Sequence, residues 1–125
     1  MSRILVVDDD ADVREGNCRY LEAAGHTVDC VSNGREALAH VINNPPDVVL
    51  LDLVMPEMDG PSFLEVVRSY LRLQSLPVVV LTGLDESPLI HRAQTLKVNA
   101  VLLKGKASSE DIRKTLEEAV VRAPG

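Results

Sequence analysis

The chain has 125 residues, a length that fits one domain able to bury about two thirds of its unfolded surface in a single core. Its 46% hydrophobic and 26% charged residues are the mix of an ordinary soluble globule, and a formal net charge of -6 argues against broad attraction to nucleic acid or anionic lipid. Only four apolar residues follow Arg3, too few for a secretory signal, and no segment reaches membrane-spanning length, so a cytoplasmic protein without membrane contact is expected.

The first apolar run, at 4–7, has strand length and stops on Asp8, Asp9 and Asp10. A helix is expected near 11–24, with Asp10 as N-cap, Gly25 as its stop, and Val13, Tyr20, Leu21 and Ala24 facing inward. A second strand follows at 27–31. The next helix, near 34–44, sets Ala37, Leu38, Val41 and Ile42 on one stripe and ends before Pro45 and Pro46, which cannot continue it. The third strand, at 48–53, carries Asp52 at its end. Gly60 and Pro61 open the third helix, which directs Phe63, Leu64, Val67, Tyr70 and Leu71 inward. The run at 78–82 closes on Thr82. In the helical stretch 85–97 the start is set near Pro88, with Leu89, Ile90, Ala93 and Leu96 facing in. The last strand, at 100–104, closes on Lys104, and Ser108 with Asp111 forms a Ser-x-x-acid cap for a helix burying Ile112, Leu116, Ala119 and Val120.

These strands are nearly continuous in Val, Leu and Ile, which is how a parallel strand covered on both faces reads. Alternation with helices then gives a doubly wound α/β domain. Ligands in such sheets bind at the carboxyl ends of the strands, where the winding reverses, so Asp8, Asp9, Asp52, Thr82 and Lys104 converge there. Two carboxylates about 4 Å apart repel by roughly 4 kcal/mol at an effective dielectric near 20, so the cluster calls for counter-charge. Lys104 supplies one positive charge against three negative ones, and a divalent cation would cancel the remaining two. Hard carboxylate oxygens with room for water suit Mg²⁺. Beside that ion Asp52 can approach a phosphoryl donor and become an aspartyl phosphate, while Thr82 and Lys104 meet the developing charge.

The motifs ILVVDDD at 4–10, LLDLVMPEMDG at 50–60, VVVLTG at 78–83 and LLK at 102–104 are each weak alone but specific in this order and spacing. Through them the chain resembles the receiver domain of two-component response regulators, and the likeness covers nearly all of residues 1–125. The resemblance implies a single flavodoxin-like (βα)5 domain with a five-stranded parallel sheet in the order 2-1-3-4-5. It implies Asp52 as phosphoacceptor, Asp9 as a direct Mg²⁺ ligand, Asp8 as a ligand mainly through water, and the Val54 carbonyl as another ligand. Thr82 and Lys104 would hold phosphoryl oxygens. The donor would be a histidine kinase or phosphotransfer protein, and the output a downstream protein or fused domain reached through the face of the fourth helix, last strand and fifth helix.

Three departures from the family pattern matter. Val101 stands where an aromatic switch residue is usual, and no aromatic residue follows Tyr70. Gly105 stands where many members have a cis proline. A cis bond without proline costs about 3 kcal/mol, so a trans bond is expected. Val54 and Leu84 are apolar at positions that tune phosphoryl lifetime, which predicts slow self-dephosphorylation.

Competing readings are weaker. A phosphohydrolase with an aspartate nucleophile would carry a second acid where Val54 stands, and a flavin site would suffer repulsion between phosphate and three aspartates. A phosphorylation-independent interaction module with the same fold is the main alternative. DNA binding lacks both a basic face and a recognition helix. Cys18 and Cys30 have no metal or redox spacing and are expected to be reduced, partly buried small hydrophobes. Met55 and Met58 are expected to pack, and Lys106 to be solvated. Arg14 and Arg19 are expected on a solvated helix face, and His26, His40 and His91 as surface or satisfied histidines, with His91 a candidate partner contact.

Overall fold

The structure, a computed structural model, describes residues 1–84 and 87–123. Its elements run β1 (Arg3–Val7), α1 (Ala11–Ala23), β2 (Thr27–Val31), α2 (Gly34–Asn43), β3 (Val48–Leu51), α3 (Gly60–Ser69), β4 (Val78–Thr82), α4 (Pro88–Thr95), β5 (Ala100–Leu103) and α5 (Ser109–Val121). All five strands are parallel, in the order β2-β1-β3-β4-β5. This is the doubly wound flavodoxin-like arrangement expected from the sequence, and its winding reverses between β1 and β3.

Strand side chains alternate between two helical layers. Leu5, Val7, Val49, Leu51, Val78 and Val80 pack with Ala37, Val41, Phe63, Leu64, Val67, Ile90 and Ala93 of α2, α3 and α4. Ile4, Val6, Val48, Leu50, Val79 and Leu81 pack on the other face with Cys18, Leu21, Ile112, Leu116 and Ala119 of α1 and α5. The central strands β1, β3 and β4 are therefore apolar at nearly every position, whereas β2, at an edge, is half exposed.

Helix boundaries follow local chemistry. The Asp10 side chain accepts from the amides of Asp12 and Val13, and Gly25 after α1 takes the left-handed φ of +98° that ends a helix. Asn33 and Asp59 cap α2 and α3, and Ser108 and Asp111 form a complete capping box on α5. α4 begins at Pro88, as the proline requires; Asp85 and Glu86, where the expected helical stretch opened, lie outside the described residues.

Three expectations are corrected, and the trans bond expected at Gly105 is found. Cys18 and Cys30 are joined in a disulfide between α1 and β2, because packing of α1 on the sheet edge brings together two residues 12 apart in sequence. Tyr70 and Leu71 do not face inward: α3 stops at Ser69, a 3-10 turn over Leu71–Leu73 follows, and Leu71 is 86% exposed. Tyr20, 38% exposed, lies at the rim of the α1 interface, and Ala24, just past the end of α1, is exposed as well. No peptide bond among the described residues is cis, and Gly105 follows Lys104 with φ +83°, a conformation that favours glycine.

Arg68 organises the pole of the sheet opposite the strand carboxyl ends. Its guanidinium donates to the carbonyls of Leu96, Leu73 and Leu76 at 2.9, 3.0 and 2.9 Å and to that of Lys97 at 3.3 Å, with burial drawing its pKa down. Arg68→Ala is expected to lower unfolding free energy by about 2–3 kcal/mol in a denaturant titration, since it strands several carbonyls at once, and Arg68→Lys should recover less than half of that.

Candidate functional site

Register builds the site. Val7 pairs with Leu51 across β1 and β3, so the next residues, Asp8 and Asp52, leave the sheet side by side at the reversal point. The Asp52 amide donates to the Val7 carbonyl at 2.9 Å and fixes that alignment. Alternation sends Asp8, after Ile4 and Val6, and Asp52, after Val48 and Leu50, toward the α1–α5 side. Lys104, two residues past Leu102, follows the same alternation from β5.

Asp8, Asp9 and Asp52 each bring a carboxylate oxygen within 4.8 Å of the others. Asp8 and Asp52 are 2% and 5% exposed, while Asp9 is open to solvent. The Lys104 ammonium lies 2.9 Å from Asp8 Oδ2 and 3.5 Å from Asp52 Oδ2. Burial, and next the neighbouring Asp8 charge, push the Asp52 carboxyl up to about 6 against the opposing pull of Lys104. Burial alone would lower the Lys104 pKa, but its hydrogen bond to Asp8 and the charge of Asp52 hold it above the usual lysine value.

The loops are tied down around this cluster. The Asp10 amide donates to Asp8 Oδ1 at 2.9 Å and the Val54 amide to Asp52 Oδ1 at 3.4 Å. Val54 itself projects outward, 51% exposed. After it the chain turns through Glu57, at φ +68°, and enters α3 at Gly60, whose amide donates to the Leu53 carbonyl at 2.9 Å. A Cβ on Gly60 would lie 2.9 Å from the Asp52 carbonyl oxygen and 2.8 Å from Leu53, so only glycine lets α3 start this close to the acceptor strand. Met55 is buried in the core and Met58 packs against it, as expected.

Thr82 ends β4 fully buried, and its hydroxyl accepts from the Leu84 amide at 3.2 Å. The Lys104 amide donates to the Thr82 carbonyl at 2.8 Å, so the hydroxyl and ammonium residues share one strand end through the backbone. Val101 is half-buried against the α2–α3–α4 layer. Arg14 is the residue that sequence reasoning missed: rather than a solvated helix face, its guanidinium reaches the Asp8 carbonyl at 2.7 Å. Its place one turn into the helix capped by Asp10 was the available signal. His26 is satisfied through both ring nitrogens, Nε2 by Glu117 and Nδ1 by the Ser2 amide that donates to it, His40 pairs through Nε2 with Asp29, and His91 is exposed.

A family model described as the response regulator receiver domain matches residues 4–117. The chain belongs to that family. The response regulator MprA of Mycobacterium sp. (strain KMS) is 48% identical over 84 residues, covering 66% of this chain and 35% of that protein. A protein-glutamate methylesterase/protein-glutamine glutaminase of Archaeoglobus fulgidus is 37% identical over 121 residues, 94% of this chain and 34% of that one. The chain thus spans about a third of the length of these curated relatives. Among solved structures, the chemotaxis response regulator CheY4 of Vibrio cholerae has a TM-score of 0.87 at 29% identity, covering 95% of this chain and 98% of that chain. The signal receiver domain of a signal transduction histidine kinase from Syntrophus aciditrophicus also has a TM-score of 0.87, at 25% identity and 100% and 96% coverage.

A carboxyl raised from 3.8 to about 6 binds more protons folded than unfolded across that range, so its contribution to stability is lost as pH rises from about 4 to 6. In metal-free protein, carboxyl-carbon NMR should show Asp52 titrating near pH 6, and Asp8→Asn should lower that midpoint. Asp52→Asn should raise metal-free stability at pH 7 by about 1–3 kcal/mol.

Proposed function

We propose that this receiver domain accepts a phosphoryl group on Asp52 from a phosphohistidine donor, in a Mg²⁺-dependent transfer that changes its affinity for a downstream partner. The observation that carries this reading is the pairing of the buried Asp8 and Asp52 carboxylates on one ammonium, 2.9 and 3.5 Å away, with Asp9 completing a hard-oxygen donor set. That set fits a divalent cation: three carboxylates against one Lys104 leave two negative charges. Asp8, Asp9, Asp52 and the Val54 carbonyl would hold the ion. When bound, Mg²⁺ would supply positive charge to the equatorial phosphoryl oxygens.

The chain's own groups do the rest. An Asp52 oxygen attacks phosphorus in line as the P–N bond to the donor histidine breaks, and the imidazole leaves with the electron pair. Lys104, released in part from Asp8 and Asp52, pairs with a phosphoryl oxygen, and Thr82 turns its hydroxyl from the Leu84 amide toward another. Asp52 in place of one negative charge then bears roughly two. The inward draw on Thr82 moves Gly83, Leu84 and the Pro88 region and biases the α4-β5-α5 face, with Val101 in place of the usual aromatic leaving this movement as the main route.

The partners are accordingly a histidine kinase or phosphotransfer protein as donor, and a separate protein or fused output domain as receiver of the signal. The reaction is placed in the cytoplasm, without nucleic acid or membrane contact by this domain; no helix among the described residues is long and apolar enough to cross a membrane. The chain is a stoichiometric acceptor that assists its own phosphorylation and dephosphorylation and is not a turnover enzyme. An apolar, outward-facing Val54 offers no leaving-group acid and no base for water.

Labelling with a small phosphodonor in Mg²⁺ buffer should place one phosphoryl group per chain by intact mass. Asp52→Asn should abolish it, and Lys104→Ala should slow it by about 10²-fold or more. Turnover of donor beyond one equivalent would point to an enzyme, and no labelling to a phosphorylation-independent module. Once formed, the acyl phosphate should persist for minutes or longer after donor removal; decay within seconds would contradict the roles given to Val54 and Leu84.

A further inference from the structure

Cys18 and Cys30 lie outside the chemistry above, yet both ends of their disulfide lead to Asp8. Cys18 sits one helical turn beyond Arg14, whose guanidinium donates to the Asp8 carbonyl at 2.7 Å. Cys30 immediately precedes Val31, whose carbonyl accepts from the Asp8 amide at 3.2 Å. The sulfur–sulfur bond therefore closes a ring that runs from α1 through Arg14 to Asp8 and back through Val31 and β2. Asp8 is held on its carbonyl side by α1 and on its amide side by β2, and the disulfide is the only covalent cross-link between those two elements.

The two sulfurs differ in access. Cys18 is 5% exposed in the α1–α5 core layer, while Cys30 is exposed on the edge strand. A thiolate from solvent can thus reach Cys30 directly. In an intracellular setting, disulfides of this kind are usually reversible and not permanent struts.

We infer that Cys18 and Cys30 form a reversible thiol–disulfide site that sets how firmly Asp8 is held, and so couples redox state to divalent-cation and phosphoryl acceptance. The coupling to phosphoryl acceptance rests on the function proposed above; the ring itself does not. A low-molecular-weight thiolate attacks the Cys30 sulfur, the Cys18–Cys30 bond breaks, and the electron pair leaves on Cys18 as thiolate, which takes a proton. A second thiolate attacks the mixed disulfide, freeing Cys30 and forming the small-molecule disulfide. Two electrons and two protons pass to the protein, and the small-molecule disulfide is the oxidant for the reverse reaction.

The test equilibrates the full chain in reduced and oxidised glutathione at several ratios, then counts free thiols on the denatured, quenched protein by maleimide mass tagging. Hydrogen exchange at the Asp8 amide is followed in each state by NMR, together with Mg²⁺ half-saturation of phosphodonor labelling. The expected result is zero to two thiols across the series, Asp8 exchange slower by tenfold or more in the oxidised form, and half-saturation at about threefold lower Mg²⁺. Cys30→Ser, at an exposed position, should label like the reduced protein and respond to neither redox state, and Cys18→Ala should match it. A thiol count that stays fixed across the series, or equal Asp8 exchange in both states, overturns the inference. Redox-dependent exchange without any labelling would uphold the ring and reject Asp52 as acceptor, since neither thiol count nor amide exchange needs metal or donor.

Discussion

Asp8 and Asp52 are carried into the protein by neighbouring strands whose pairing is fixed one residue earlier, at Val7 and Leu51, and one ammonium is shared between them. Their repulsion is the constraint on which the site depends. Backbone hydrogen bonds and two apolar layers force the carboxylates together, and burial removes the water that would otherwise screen them. The Asp52 carboxyl responds by holding its proton up to about 6. A site of this kind favours any event that adds positive charge or spreads negative charge over more oxygens, which is what cation binding and phosphoryl transfer do.

The fold is organised to keep that tension local. Strands β1, β3 and β4 are buried on both faces, so the strand ends cannot drift without unpacking a core layer. Around them the loops are secured one by one: Arg14 on the Asp8 carbonyl, the Asp10 amide on the Asp8 carboxylate, and Gly60 against the Asp52 carbonyl. The end of β4 is held more loosely. Among the described residues nothing lies within 4 Å of a Cβ on the exposed Gly83, and the Thr82 hydroxyl is engaged only with the Leu84 amide. A carboxylate side tied by several contacts and a hydroxyl side tied by one is the asymmetry on which the proposed switch rests.

Most of this was legible in the sequence because it depends on local rules. Continuous Val/Leu/Ile runs gave buried parallel strands, and caps at Asp10 and Ser108 with prolines at 45, 46, 61 and 88 marked helix ends within a residue or two. The charge inventory at the strand ends gave the acidic cluster. What escaped was non-local or marginal. A separation of 12 between Cys18 and Cys30 carries no motif, and their bonding needs the packing of α1 on the β2 edge. Tyr70 and Leu71 keep helical spacing after Val67, but the helix ends at Ser69 and spacing then loses its meaning. Arg14 reads as a solvated helix arginine, its place one turn after the Asp10 cap being the one local signal, and the bonds of Arg68 to the carbonyls of Leu96 and Lys97 leave no trace in its own neighbourhood.

Val101 and Gly105 separate this chain from the common pattern of its family without touching the acidic cluster, so the account stands or falls on the cluster itself. The most direct test is calorimetric titration of the metal-free protein with Mg²⁺. One saturable site per chain, lost in Asp9→Asn and kept in a substitution distant from the strand ends such as Arg122→Ala, is the predicted result. Absence of saturable binding, or binding indifferent to Asp9→Asn, would contradict it.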